Sequence, residues 1–202
     1  MRTLVWIVLA IALPAGAAPL AASDVTGKPL PKGVSAHGAT IDRVMTFSDK
    51  NGVNYVVFSW SKSDKPPVRS LFVDHWVVPA SGAPRALLPV RDFVEDCYMN
   101  AATATFVDDA FGVTDLDGNG IAEVTYGYQL ACRSDVRPAT YKLLMVQNGA
   151  KYILRGSSRI DEGGEIAGGE FKADPASSKW PAGFLAHATE LWNRTDADAD
   201  IH

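Results

Sequence analysis

Asp115-Leu-Asp-Gly-Asn-Gly-Ile-Ala-Glu123, running directly into Val124-Thr-Tyr-Gly-Tyr-Gln-Leu130, is the stretch on which the fold turns. In its second half Val124, Tyr126, Tyr128 and Leu130 fall on one face and Thr125, Gly127 and Gln129 on the other. That period of two belongs to a strand, not a helix. Its first half sets oxygen-bearing side chains at Asp115, Asp117, Asn119 and Glu123, with Gly118 and Gly120 for the sharp turns between them. Several oxygens folded around one point, at roughly 2.3–2.6 Å, are what hold a hard cation such as Ca²⁺.

The spacing separates this loop from an EF-hand. Asp115, Asp117, Asn119 and Gly120 satisfy loop positions 1, 3, 5 and 6, but position 12, where a bidentate Glu is needed, is Tyr126. An acid comes earlier, at Glu123. The segment therefore resembles the calcium loops of FG-GAP and integrin-type repeats, D-x-D-x-[DN]-G-x-x-[DE] leading into a strand, with Glu123 in place of the usual terminal Asp. The resemblance implies calcium ligands at Asp115, Asp117, Asn119 and Glu123, together with the backbone carbonyl of Ile121. The alternative is a tight Gly/Asn/Asp hairpin that binds nothing. Three carboxylates converging on one turn repel one another without a cation, which favours the site.

Working outward, the chain is a succession of hairpin signals. TIDRVMTF (40–47) and VNYVVFSW (53–60) flank a turn with Asn51-Gly52. SLFVDHWVV (70–78) and RALLPVRDFV (85–94) flank PASGAP, and YKLLMVQ (141–147) and KYILRGSS (151–158) flank Asn148-Gly149. These make about eight strands, antiparallel by their short connections. The glycine-rich run 161–174 reads as a loop leading to one short strand. In SSKWPAGFLAHATELWN (177–193), Trp180, Phe184, Ala188, Leu191 and Trp192 form an amphipathic helical stripe expected to pack on the sheet. The expected fold is mainly β (α+β): a single antiparallel β-rich domain over 38–195, with one C-terminal helix. Residues 18–37, rich in Pro, Gly and Ala, read as a loosely ordered arm. Residues 196–202, with Asp196, Asp198 and Asp200, read as a disordered acidic tail.

Residues 1–17 have the form of a signal peptide: Arg2, an apolar run from Leu4 to Leu13, Pro14, and small residues at Ala15 and Ala17. Export to a bacterial periplasm or beyond follows, with no stable membrane span after cleavage. In that oxidising setting the isolated pair Cys97 and Cys132 is expected to form a disulfide, stabilising by roughly 3–4 kcal/mol and bracing the hairpin that carries the acidic loop. Without the leader, 18 basic residues face 23 acidic ones, a net charge of about −5. That argues against nucleic acid as a partner.

Other candidates are weaker. His75 lies on an apolar strand face and reads as a core residue; His37, His187 and His202 are scattered. No G-x-S-x-G elbow occurs and no Ser-His-Asp set can be nominated. Glu95 and Asp96 read as the polar end of a strand. Arg133, Asp135 and Arg137 cluster after Cys132 and are candidate ligand-binding residues for a carboxylate or phosphate, or else an internal Arg–Asp tie. The order EDC, VTDLDGNGIAEVTYGY, ACRSDVRPAT, GGEF and a Trp-bearing C-terminal helix resembles a family of exported bacterial proteins labelled surface-polysaccharide biosynthesis. That resemblance implies an envelope role with an envelope glycan or protein as partner, and no catalytic residues. The functional expectation is a non-enzymatic, calcium-stabilised binding or assembly factor. A glycan hydrolase using acidic residues, or a small periplasmic inhibitor, are the alternatives.

Overall fold

A computed structural model describes residues 19–64, 67–98 and 102–199. The expected leader, residues 1–17, lies outside the described residues. Two five-stranded antiparallel meanders pack face to face. The first runs β1 (Ser23–Asp24), β2 (Thr40–Asp49), β3 (Gly52–Asp64), β4 (Pro67–Val78) and β5 (Arg85–Glu95), in chain order. The second contains β6 (Ala102–Thr114), β7 (Glu123–Cys132), β8 (Thr140–Gln147) and β9 (Ala150–Ser157), and closes with β12 (Phe171–Asp174) beside β9. Between β9 and β12, β10 (Arg159–Glu162) and β11 (Glu165–Gly168) form a separate hairpin. The glycine-rich run is thus more ordered than its composition suggests. Helix α1 spans Phe184–Thr195.

The strand alternation builds the core directly. Val56, Phe58, Leu71, Val73 and Val90 of the first sheet meet Val124, Tyr126, Tyr128, Leu130, Leu144 and Val146 of the second. Phe58 is central, edge-on to Phe106, Phe111 and Tyr126 at centroid distances of 5.1, 6.0 and 5.7 Å, the arrangement the ring quadrupole prefers. On the far face of the second sheet, Tyr141, Leu143, Met145 and Leu154 receive Trp180, Phe184, Ala188, Leu191 and Trp192. The helical stripe packs as its spacing predicts. Trp180 itself precedes the helix, and Gly183, with φ 85°, turns the chain into it. Among the described residues no helix is long and apolar enough to cross a membrane.

Three expectations require correction. The N-terminal arm is not loose where it is described: Val25, Leu30, Val34 and Ala36 cover Val44, Val57, Tyr55 and Trp76 on the outer face of the first sheet. A sheet with an apolar outer face must be covered, and the arm is its cover. Nor is the tail disordered as far as residue 199. Asp198 accepts two hydrogen bonds from the Arg133 fork, at 2.6 and 2.8 Å, and others from Ser158 Oγ and the Ala139 amide. Asp196 pairs with Arg159 at 3.1 Å. The nearly buried Arg133 guanidinium and the buried Ser158 hydroxyl find their acceptor in Asp198, so the tail docks. Finally, Asn51-Gly52 does not form the two-residue turn. Asp49 pairs with Gly52, leaving Lys50 and Asn51 as the loop. Asn148 and Gly149, at φ 46° and 86°, do form the expected turn, with Gln147 paired to Ala150.

Candidate metal centre

The β6–β7 connection places Thr114 opposite Glu123, and β8 places Gln147 on the other side of Glu123. These three side chains therefore lie abreast on one face of the second sheet. Glu123 is fully buried. One carboxylate oxygen accepts from Thr114 Oγ1 at 2.9 Å and from the Leu116 amide at 2.7 Å; the other accepts from Gln147 Nε2 at 2.7 Å. Burial raises the pKa of Glu123, the hydrogen bonds from the Leu116 amide and Thr114 Oγ1 oppose that shift, and the nearby Asp117 and Asp115 add to it.

The loop itself is wound by its own side chains. Asp115 Oδ2 accepts from the Gly120 amide at 3.1 Å, Asp117 Oδ1 from the Asn119 amide at 3.2 Å, and Asn119 Oδ1 from the Ile121 amide at 2.7 Å. Gly118 and Gly120 take left-handed φ values of 67° and 80°, where a side chain would strain the backbone. The neighbouring β2–β3 hairpin clasps the loop. Lys50 donates its amide to the Gly120 carbonyl at 2.8 Å, and Asp49 accepts the Ala122 amide at 3.2 Å.

Asp115, Asp117 and Glu123 each present a carboxylate oxygen within 4.8 Å of the others. Two oxygens on opposite sides of a Ca²⁺ ion stand about 4.8 Å apart, so one ion can touch all three. A further convergence involves Gln147, to which the sequence drew no attention. Its Nε2 lies 3.1 Å from Asp117 Oδ2, 3.3 Å from the Ile121 carbonyl and 2.7 Å from Glu123 Oε1. These oxygens belong to three of the five groups implied as ligands, and a neutral amide has only two hydrogens to offer them. Asp115 Oδ1 is buried and accepts no hydrogen bond. Asn119 behaves differently: its oxygen is committed to the Ile121 amide and its Nδ2 faces Asp117 at 2.9 Å. No hairpin rule could have found Gln147, because the seven-residue connection before β8 hides the β7–β8 register.

The other candidate residues have internal partners. The guanidinium of Arg133 grips Asp198 and also meets the Arg137 carbonyl, while Arg137 forks onto Asp135 at 2.6 Å. A pocket of about 350 Å³ lies along this loop, lined by Arg133, Asp135 and Arg137. His75 is buried in the core, Nε2 3.0 Å from Asn54 Oδ1 and its ring 6.0 Å from that of Phe47. Burial pushes its pKa down to about 4, against a smaller opposing pull from Asp49. The Cys97–Cys132 disulfide is formed, with Cα atoms 5.6 Å apart. It does not brace the acidic loop. Cys132 ends β7 and Glu123 begins it, so the two features stand about 30 Å apart along the strand.

No protein-family model, curated protein or solved structure matches the chain.

Proposed function

We propose that this protein is an exported β-sandwich that takes up one calcium ion in the 115–123 loop and serves as a non-enzymatic binding or assembly factor of the bacterial envelope. A role in building surface polysaccharide is the most specific form of this reading. The observation that carries the calcium assignment is the convergence of Asp117, the Ile121 carbonyl and Glu123 on Gln147 Nε2, beside the unpartnered Asp115 Oδ1. A divalent cation at that point satisfies every one of these oxygens, which one amide does not. The ion's role is structural: it fixes the loop against the β2–β3 hairpin and so ties one sheet to the other. Export rests on the sequence of residues 1–17, and the envelope role on that leader and on the resemblance described above.

Calcium titration of the oxidised mature protein by calorimetry tests the assignment. One site per chain, lost in Asp117→Ala and weaker for Mg²⁺, is the expected result, since a site of many carboxylate and carbonyl oxygens suits the larger ion. No binding heat in the parent at millimolar Ca²⁺ contradicts it.

A further inference from the structure

Two strands depart from regular pairing at places that bring their side chains together. On β2 the ladder to β3 steps from Ile41↔Ser59 to Arg43↔Phe58, leaving Asp42 out of register. On β6 the ladder to β7 jumps from Val107↔Gly127 to Gly112↔Thr125, leaving Asp108 outside it. Bulges re-aim the side chains they carry, and they gather beside functional sites. One aspartate from each sheet thus comes to line the same pocket, of about 310 Å³, between β2, β3 and β4 of the first sheet and β6 of the second. Trp60, Leu71 and Phe106 make its floor, and Thr105 adds a hydroxyl-bearing wall. Arg43 lies behind, its guanidinium 4.7 Å from the centre of the Phe58 ring and 3.2 Å from Asp108 Oδ1. The Asp42 carboxylate accepts no hydrogen bond among the described residues.

We propose that this pocket binds an uncharged sugar unit of a saccharide chain. An indole and a phenyl ring with Leu71 offer the apolar floor on which the C–H face of a pyranose stacks. Carboxylates at the rim accept hydrogen bonds from neighbouring hydroxyls, and Thr105 can donate or accept. The volume lies at the lower end of the range for small-molecule sites, enough for one or two rings. Charge selects among ligands. A phosphate or a uronate meets two carboxylates against one guanidinium, and a bare cation meets the guanidinium that already neutralises Asp108. A neutral polyol meets neither penalty.

This inference gives the binding-domain reading a ligand class, and it is independent of the cation. Asp42 stands seven residues along β2 from Asp49, which touches the acidic loop, a distance of about 23 Å. Cello-, malto- and chito-tetraose, with a tetragalacturonate control, are titrated by calorimetry and by Trp fluorescence, each in Ca²⁺ and in EGTA. Asp42→Asn and Asp108→Asn serve as variants because both side chains lie at the surface. The expected result is binding of at least one neutral oligosaccharide tighter than about 1 mM, weakened about tenfold or more by either variant. Failure of all three neutral probes, binding of the acidic one alone, or affinity unchanged in both variants overturns the proposal. Saccharide binding with no calcium response removes only the cation; a calcium response with no saccharide binding removes only this pocket.

Discussion

Glu123 and Gln147 carry the local chemistry of the acidic loop. Without the amide of Gln147, one oxygen of a fully buried carboxylate loses the donor it has at 2.7 Å. Gln147→Ala is therefore expected to destabilise by about 1–3 kcal/mol in EGTA, and by clearly less in millimolar Ca²⁺, where the ion takes over the amide's partners. Equal losses in the two media, measured by urea unfolding, contradict the idea that amide and cation compete for one place. His75 acts at the same scale through the proton. Its pKa in the folded state is about 4, against 6.5 for the free side chain, so the unfolded chain binds the extra proton between those values. Stability from this residue is complete above pH 6.5 and is lost as pH falls towards 4, by about 3 kcal/mol in all. His75→Gln keeps a donor for Asn54 without the titration. The difference in unfolding free energy between parent and variant should slope over that window and be flat above it.

At the scale of elements, the strands of the core were legible because their apolar residues alternate, and helix α1 because its aromatics recur at helical spacing. Val124, Tyr126, Tyr128 and Leu130 all reach the core as their period predicts. Gly127, on the other face of β7, has a meaning that periodicity cannot convey. A Cβ there would lie 2.7 Å from the Tyr141 hydroxyl and 2.9 Å from the Ala110 Cβ. Gly127→Ala should cost about 1–3 kcal/mol through overpacking, and thermal unfolding that matches the parent would show that Tyr141 yields freely. The short strands β10 and β11 were hidden by the glycines around them, whereas β12 is the one short strand expected at the end of that run. The bulges carrying Asp42 and Asp108 were hidden too, since a bulge is a property of the pairing and not of one strand's composition.

At the scale of the whole molecule, the described residues form four layers: arm, sheet, sheet and helix, with the tail strapped across the second sheet. Arm and tail differ from what their composition predicts for one reason. Local composition reports what a segment does alone, whereas Val34 and Asp198 are ordered by surfaces that distant strands create. The tail's contribution is measurable. The side chains of Arg133 and Asp198 are 11% and 2% exposed, so Asp198→Ala leaves a nearly buried guanidinium without its carboxylate. A loss of about 3–5 kcal/mol is expected by denaturant titration, and a loss under about 0.5 kcal/mol, as at ordinary surface sites, would mean the strap is dispensable. The acidic loop joins the two sheets at the opposite end of β7 from the disulfide, so the sandwich is tied at both ends, covalently at one and by the loop at the other. The loop end supplies the most direct measurement: thermal unfolding of the oxidised mature protein in 1 mM Ca²⁺ and in EGTA, beside Asp117→Ala. For a dissociation constant near 0.1 mM, linkage gives about 1.4 kcal/mol, or roughly 3–6 °C for a chain of this size. That rise in the parent, absent from Asp117→Ala, is the predicted result; equal melting temperatures in Ca²⁺ and EGTA for the parent would reduce the loop to a hairpin turn and contradict the account.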